Sequence, residues 1–93
     1  MENYEYRDFG WALNNLRNAK KVAREGWNGK EMFIYYVSSD KYIAKTEIAK
    51  SFADDNGLVE YNAYIAIKNV NGTVSTWVPS INDCLSEDWI VIK

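Results

Sequence analysis

Two short stretches carry side chains whose types and spacing suit the holding of a flat, polar molecule. In EGWNGK (25–30), the indole of Trp27 stands between Gly26 and the Asn28-Gly29 pair. In TWVPSINDCLSEDW (76–89), Trp77 is followed closely by Pro79, Ser80, Asn82 and Asp83. Trp27 has two readings: a plug folded under its turn, or a stacking platform. An indole held on a rigid turn loses little entropy when a ring stacks on it, and such stacking is worth about 1–3 kcal/mol per base. Asn28 would add an amide donor and acceptor beside that ring. Trp77 falls at the end of a strand-like run and Pro79 sets a bend. Ser80 and Asp83 match the S-x-x-D start of a short helix, whose free N–H groups suit a phosphate or ribose oxygen. Asp83 either closes that capping box or accepts hydrogen bonds from a ligand's hydroxyl or amino groups. Arg24, two residues before the Gly-Trp turn, is the cation best placed for a phosphate.

What the chain lacks narrows the chemistry. It has no histidine, and Cys84 is its only cysteine. Ser-His-Asp and Cys-His catalysis are excluded, as are zinc sites of Cys and His and any intrachain disulfide. Carboxylate-based hydrolysis through Asp83, Glu87 and Asp88 stays open on composition alone, as does a third reading, an inhibitor that docks an aromatic surface on another protein. Net charge is −2, with nine Lys/Arg and seven Asp/Glu in residues 1–50 against two and six in residues 51–93. No dense basic face exists for a DNA or RNA polymer. No apolar run is long enough for a membrane span and the first ten residues are polar, so the expected location is the cytoplasm.

These residues need a scaffold, and 93 residues make one domain, here 47% apolar and 15% aromatic. A chain this short buries only about 60–65% of its unfolded surface, so self-association would help it. Asp8 followed by Phe9, Ala12, Leu13 and Leu16 predicts an amphipathic helix over about 8–19. Phe9 opens that stripe as a core residue. Strands are expected at 21–25 and 32–37, with a turn at 38–41. Ile48, Ala49, Phe52 and Ala53 suggest a helix over 46–55. Alternation from Tyr61 to Ile67 predicts a strand at 60–69, and Asn71-Gly72 predicts a two-residue type I′ hairpin into a strand at 73–78. A short helix at 81–86 and a strand at 88–92, with Trp89 in the core, complete the chain. Cys84 reads as a small buried hydrophobe. The expected class is α+β: a small, mostly antiparallel sheet of about five strands, one N-terminal amphipathic helix and short extra helices.

Taken in order, FGWALNNL (9–16), KKVAREGWNGK (20–30) and YIAIKNVNGTVSTWVPSINDCLSEDW (64–89) resemble the second type of Thoeris anti-defence proteins, a phage family. That resemblance implies a protein that sequesters glycocyclic ADP-ribose, a cyclic ADP-ribose isomer, without cleaving it, and so starves the Thoeris effector of its signal. It also implies a homotetramer with nucleotide pockets between subunits, and no cofactor. Some relatives hold cyclic oligonucleotides at a separate place. By position, Trp27, Asn28, Trp77, Ser80 and Asp83 would be pocket walls, with Phe9 stacking from a neighbouring subunit. Arg24 and Asn82 join them from the residue-level reading. Ile81 stands where the family pattern suggests a polar residue, and residues 38–60 depart from that pattern.

Overall fold

The computed structural model describes residues 7–27 and 31–93. The elements run α1 (Phe9–Arg17), β1 (Lys21–Arg24), β2 (Phe33–Val37), β3 (Asp40–Ile43), α2 (Glu47–Lys50), β4 (Leu58–Tyr61), β5 (Tyr64–Lys68), β6 (Val74–Thr76), α3 (Ile81–Leu85) and β7 (Trp89–Ile92). Five strands form an antiparallel sheet in the order β6-β5-β2-β1-β7, while β3 and β4 pair separately as a two-stranded ribbon. The expected α+β class holds.

α1 begins where the stripe predicted. The Asp8 carboxylate accepts the Trp11 N–H at 2.9 Å and caps the first turn. The helix ends in a Schellman arrangement, with Lys20 N–H donating to Asn15 O and Ala19 N–H to Leu16 O. The left-handed position there falls on Ala19 (φ 63°), not on a glycine. Ala12 and Leu16 press onto Val22, Ile34 and Trp89, and these five residues form the buried core cluster.

Strand alternation assigns the two faces of the main sheet. Val22, Ile34, Tyr36, Ile65, Ile67, Trp89 and Val91 share the face that carries α1. The opposite face presents Ala23, Phe33, Tyr35, Ala66, Ile90 and Ile92, and no described helix or ribbon strand packs extensively against it. Lys21 and Lys68 stand over the Phe33 ring at 5.2 and 5.9 Å from its centroid.

Four local expectations are revised. The turn expected at 38–41 is overtaken by β3, which already holds Asp40 and Lys41 in its ladder with β4. The helix expected over 46–55 is a single turn, Glu47–Lys50, capped by Thr46 and followed by a turn at 51–52. The run at 60–69 is two strands, because residues 62–63 leave the ladder and β4 pairs back with β3. The hairpin at Asn71-Gly72 is not type I′. Asn69 N–H donates to Thr73 O, Gly72 N–H donates to Asn69 O, and only Gly72 has positive φ (88°). That is the three-residue loop in which a left-handed glycine forms a bulge. The ribbon and α2 stand away from the sheet as an arm. The chain measures 60 × 28 × 26 Å with a radius of gyration of 16.6 Å, against about 12 Å for a compact chain of this length.

Candidate functional site

Four aromatic rings gather where β1, β7 and the end of β6 meet the start of α1. Trp89, fully buried, lies at the centre. Phe9, Trp27 and Trp77 surround it with centroids 5.5, 5.7 and 6.2 Å away. Trp77 also touches Phe9 at 6.2 Å and Trp27 at 6.3 Å. Both Trp27 and Trp77 approach Trp89 edge-on, the geometry that ring quadrupoles favour. Phe9, Trp27 and Trp77 are half-buried. Each therefore packs on Trp89 and keeps part of its surface outside.

A charged clasp fixes the elements beside this cluster. Arg24 Nε donates to Asp88 Oδ1 and Arg24 Nη1 to Asp83 Oδ1, both at 2.9 Å. The second oxygen of each carboxylate is also engaged. Asp88 Oδ2 accepts the Gly26 N–H at 3.1 Å, and Asp83 Oδ2 accepts the Ser80 N–H at 2.9 Å. Ser80 Oγ in turn accepts the Asp83 N–H, closing the predicted capping box. Burial pushes both carboxyl pKa values up, but the Arg24 guanidinium and the backbone N–H bonds outweigh it and hold both below the usual range. The hydrogen bonds that Arg24 donates, the one to Asp88 foremost, raise its own pKa. Gly26 makes a close approach here: a Cβ would lie 3.3 Å from Asp88 Oδ2, a tight contact that the carboxylate would have to shift to relieve. Trp89 Nε1 donates to Asp83 O at 3.2 Å, which ties α3 to the aromatic cluster.

The fold thus brings Phe9, Arg24, Trp27, Trp77, Ser80 and Asp83 to one end of the molecule. Arg24, expected at a phosphate, has two of its three nitrogens committed to carboxylates. The Ser80 and Asp83 N–H groups at the start of α3 are consumed by the capping box. Asn82 is exposed on α3. Asn28 lies outside the described residues. Cys84, expected to be buried, is exposed, because α3 is short and buries none of its residues.

Sequence reasoning missed the hollow beside this cluster. A groove of about 510 Å³ opens between α1 and the β5 side of the sheet, lined by Leu13, Leu16, Arg17, Tyr36, Ile65 and Trp77, with Ala63 and Tyr64 at one end. It exists because α1 packs on β1, β2 and β7 and leaves this side of its face open. A smaller hollow of about 340 Å³ on the arm, edged by Tyr42, Ala49, Tyr61 and Tyr64, holds none of the predicted residues.

An antiparallel sheet carrying α1 on one face, with rings gathered around a buried tryptophan beside a mostly apolar groove, defines a small α+β protein. Residues 7–92 match the family model described as the Thoeris anti-defense 2-like domain. The chain is also 36% identical over 85 residues to Thoeris anti-defense 2 of Bacillus phage SP01, an alignment covering 91% of this chain and 93% of that protein. The chain belongs to the Thoeris anti-defense 2-like family, and its role lies in phage counter-defence against Thoeris.

Proposed function

We propose that this protein counters Thoeris by binding and sequestering a cyclic ADP-ribose-type signal, glycocyclic ADP-ribose, inside the infected cell, without cleaving it. The observation that carries this reading is Trp77: packed by Phe9, Trp27 and Trp89, it is also a wall of the 510 Å³ groove. That volume lies in the usual range of small-molecule pockets. A ring already held by its neighbours stacks on a base with little further ordering cost. The clasp argues against Asp83 and Asp88 as the general acid of the hydrolase alternative. Asp83 and Asp88 are held ionised by Arg24, and an acid held in its carboxylate form is poorly suited to protonate a leaving group.

The active form is a homo-oligomer, a tetramer in keeping with the family resemblance. The uncovered apolar sheet face and the arm, with exposed Tyr42, Ile43, Ile48 and Phe52, support self-association. Purified protein is incubated with glycocyclic ADP-ribose, freed of unbound ligand and heat-denatured. Recovery of the intact signal, one equivalent per pocket, is the expected result; recovery of a linear product would replace sequestration with hydrolysis.

A further inference from the structure

The groove's composition and register point to a more specific arrangement, which rests on the sequestration reading. We infer that Tyr36 and Trp77 are the two walls of a slot for one nucleobase, with Ile65 as its floor and Arg17 as the cation for the adjoining phosphate.

The register places the parts. Tyr36 of β2 is paired with Ile65 of β5. The Trp77 N–H donates to Ile65 O at 2.8 Å, continuing the β5–β6 ladder one residue past Thr76. Tyr36, Ile65 and Trp77 therefore form a row across three neighbouring strands, on the face that carries α1. Strands lie about 4.8 Å apart, so the backbones under the two aromatic residues are separated by about 10 Å. A flat ring in van der Waals contact with a wall on each side needs about 7–8 Å between the walls. All three residues line the 510 Å³ groove, with Ile65 between the two aromatic residues in register. Neither sugar nor phosphate needs to enter such a slot.

Arg17 supplies the charge. It is the last residue of α1, lines the groove and is exposed. Among the described residues its guanidinium forms no ion pair with a carboxylate, in contrast to the doubly engaged Arg24. A guanidinium beside an aromatic slot matches the two halves of a nucleotide: a base that stacks and a phosphate that takes paired N–H donors. Arg17 thus takes the phosphate role that the sequence had suggested for Arg24.

The test titrates glycocyclic ADP-ribose and, separately, AMP into the full-length wild-type protein and its Tyr36→Ala and Arg17→Gln variants by calorimetry. Both substituted side chains are exposed, so melting temperatures should stay within about 3 °C of wild type. The expected result is binding of both probes by wild type. Tyr36→Ala should weaken each by about tenfold or more, and Arg17→Gln should weaken each and flatten its salt dependence. Tyr36→Phe, which keeps the ring, should bind almost as wild type; if it binds as weakly as Tyr36→Ala, the ring is not a wall. Wild-type affinity for the cyclic signal in both variants would overturn the slot and leave sequestration standing. Tyr36-dependent binding of AMP with no binding of any cyclic ADP-ribose isomer would keep the slot and overturn sequestration. Binding of neither probe by wild type overturns both.

Discussion

At the scale of single residues, the clasp around Arg24 connects the Gly-Trp turn, the start of β7 and α3, and so positions Trp27. The side chains of Arg24, Asp83 and Asp88 keep 21%, 13% and 32% of their exposure, enough burial for a charge-assisted network to count. Asp83 and Asp88 have pKa values lowered on folding. Their stabilisation is therefore complete above the unfolded value of about 3.9 and is lost as pH falls through the lower folded values. Asp88→Asn should cost about 1–2 kcal/mol at pH 7, and the deficit against wild type should shrink below about pH 4. Urea midpoints measured from pH 7 down to 2.5 check this; an equal deficit at both ends would mean that the carboxylate's charge contributes nothing. The sequence reading named Arg24, Asp83 and Asp88 for separate roles and did not join them. Arg24 was assigned to an anion because Asp88, 64 residues away in sequence, becomes its neighbour only once β1 pairs with β7.

At the scale of elements, local signals succeeded where the physics is local. Asp8 capping α1 and the Ser80–Asp83 box opening α3 rest on residues a few positions apart, and both formed; of the alternation expected over 60–69, only the Ile65 and Ile67 part forms, in β5. The arm defeated the same reasoning. Its strands β3 and β4 pair only with each other and expose most of both faces, so no clean alternation marks them. The groove residues Arg17 and Tyr36 were missed for a related reason: their proximity depends on where α1 stops across the sheet. The end of α1 also yields a prediction. Ala19 occupies a left-handed position that costs a non-glycine residue about 1–2 kcal/mol. Ala19→Gly should therefore stabilise the protein by about 0.5–1 kcal/mol, after allowing for the greater freedom glycine brings to the unfolded chain. Chemical denaturation of the variant measures the gain; a lower midpoint would show that Ala19 is not strained there.

At the scale of the whole molecule, the described residues cover only one face of the main sheet. Five strands at about 4.8 Å spacing and three to five residues of rise give this face a projected area of about 350 Å². Ala23 and Ala66 are almost fully buried on it, sunk between taller neighbours such as Tyr35. A stable interface needs about 800 Å² per partner, so the sheet face alone falls short by about half, and the arm is the obvious source of the remainder. A second copy that engaged both would also shelter Ile43, Ile48 and Phe52, which are 69%, 78% and 65% exposed. Two variants separate these contributions. Tyr35→Lys places a charge on the sheet face, and Phe52→Glu places one on the arm, each at a site already in contact with water. Light scattering on wild-type protein should give a multiple of the 10.8 kDa chain mass. Each variant should shift the population toward smaller species, and the double variant should be the most dissociated. If wild type has the mass of one chain, self-association is wrong. If only Tyr35→Lys dissociates it, the arm lies outside the interface and the missing area must come from elsewhere. The same samples link assembly to function. Where pockets lie between subunits, dissociation should lower affinity for the cyclic signal in proportion to the fraction of dissociated chains; unchanged affinity in a fully monomeric variant would place the whole pocket within one chain.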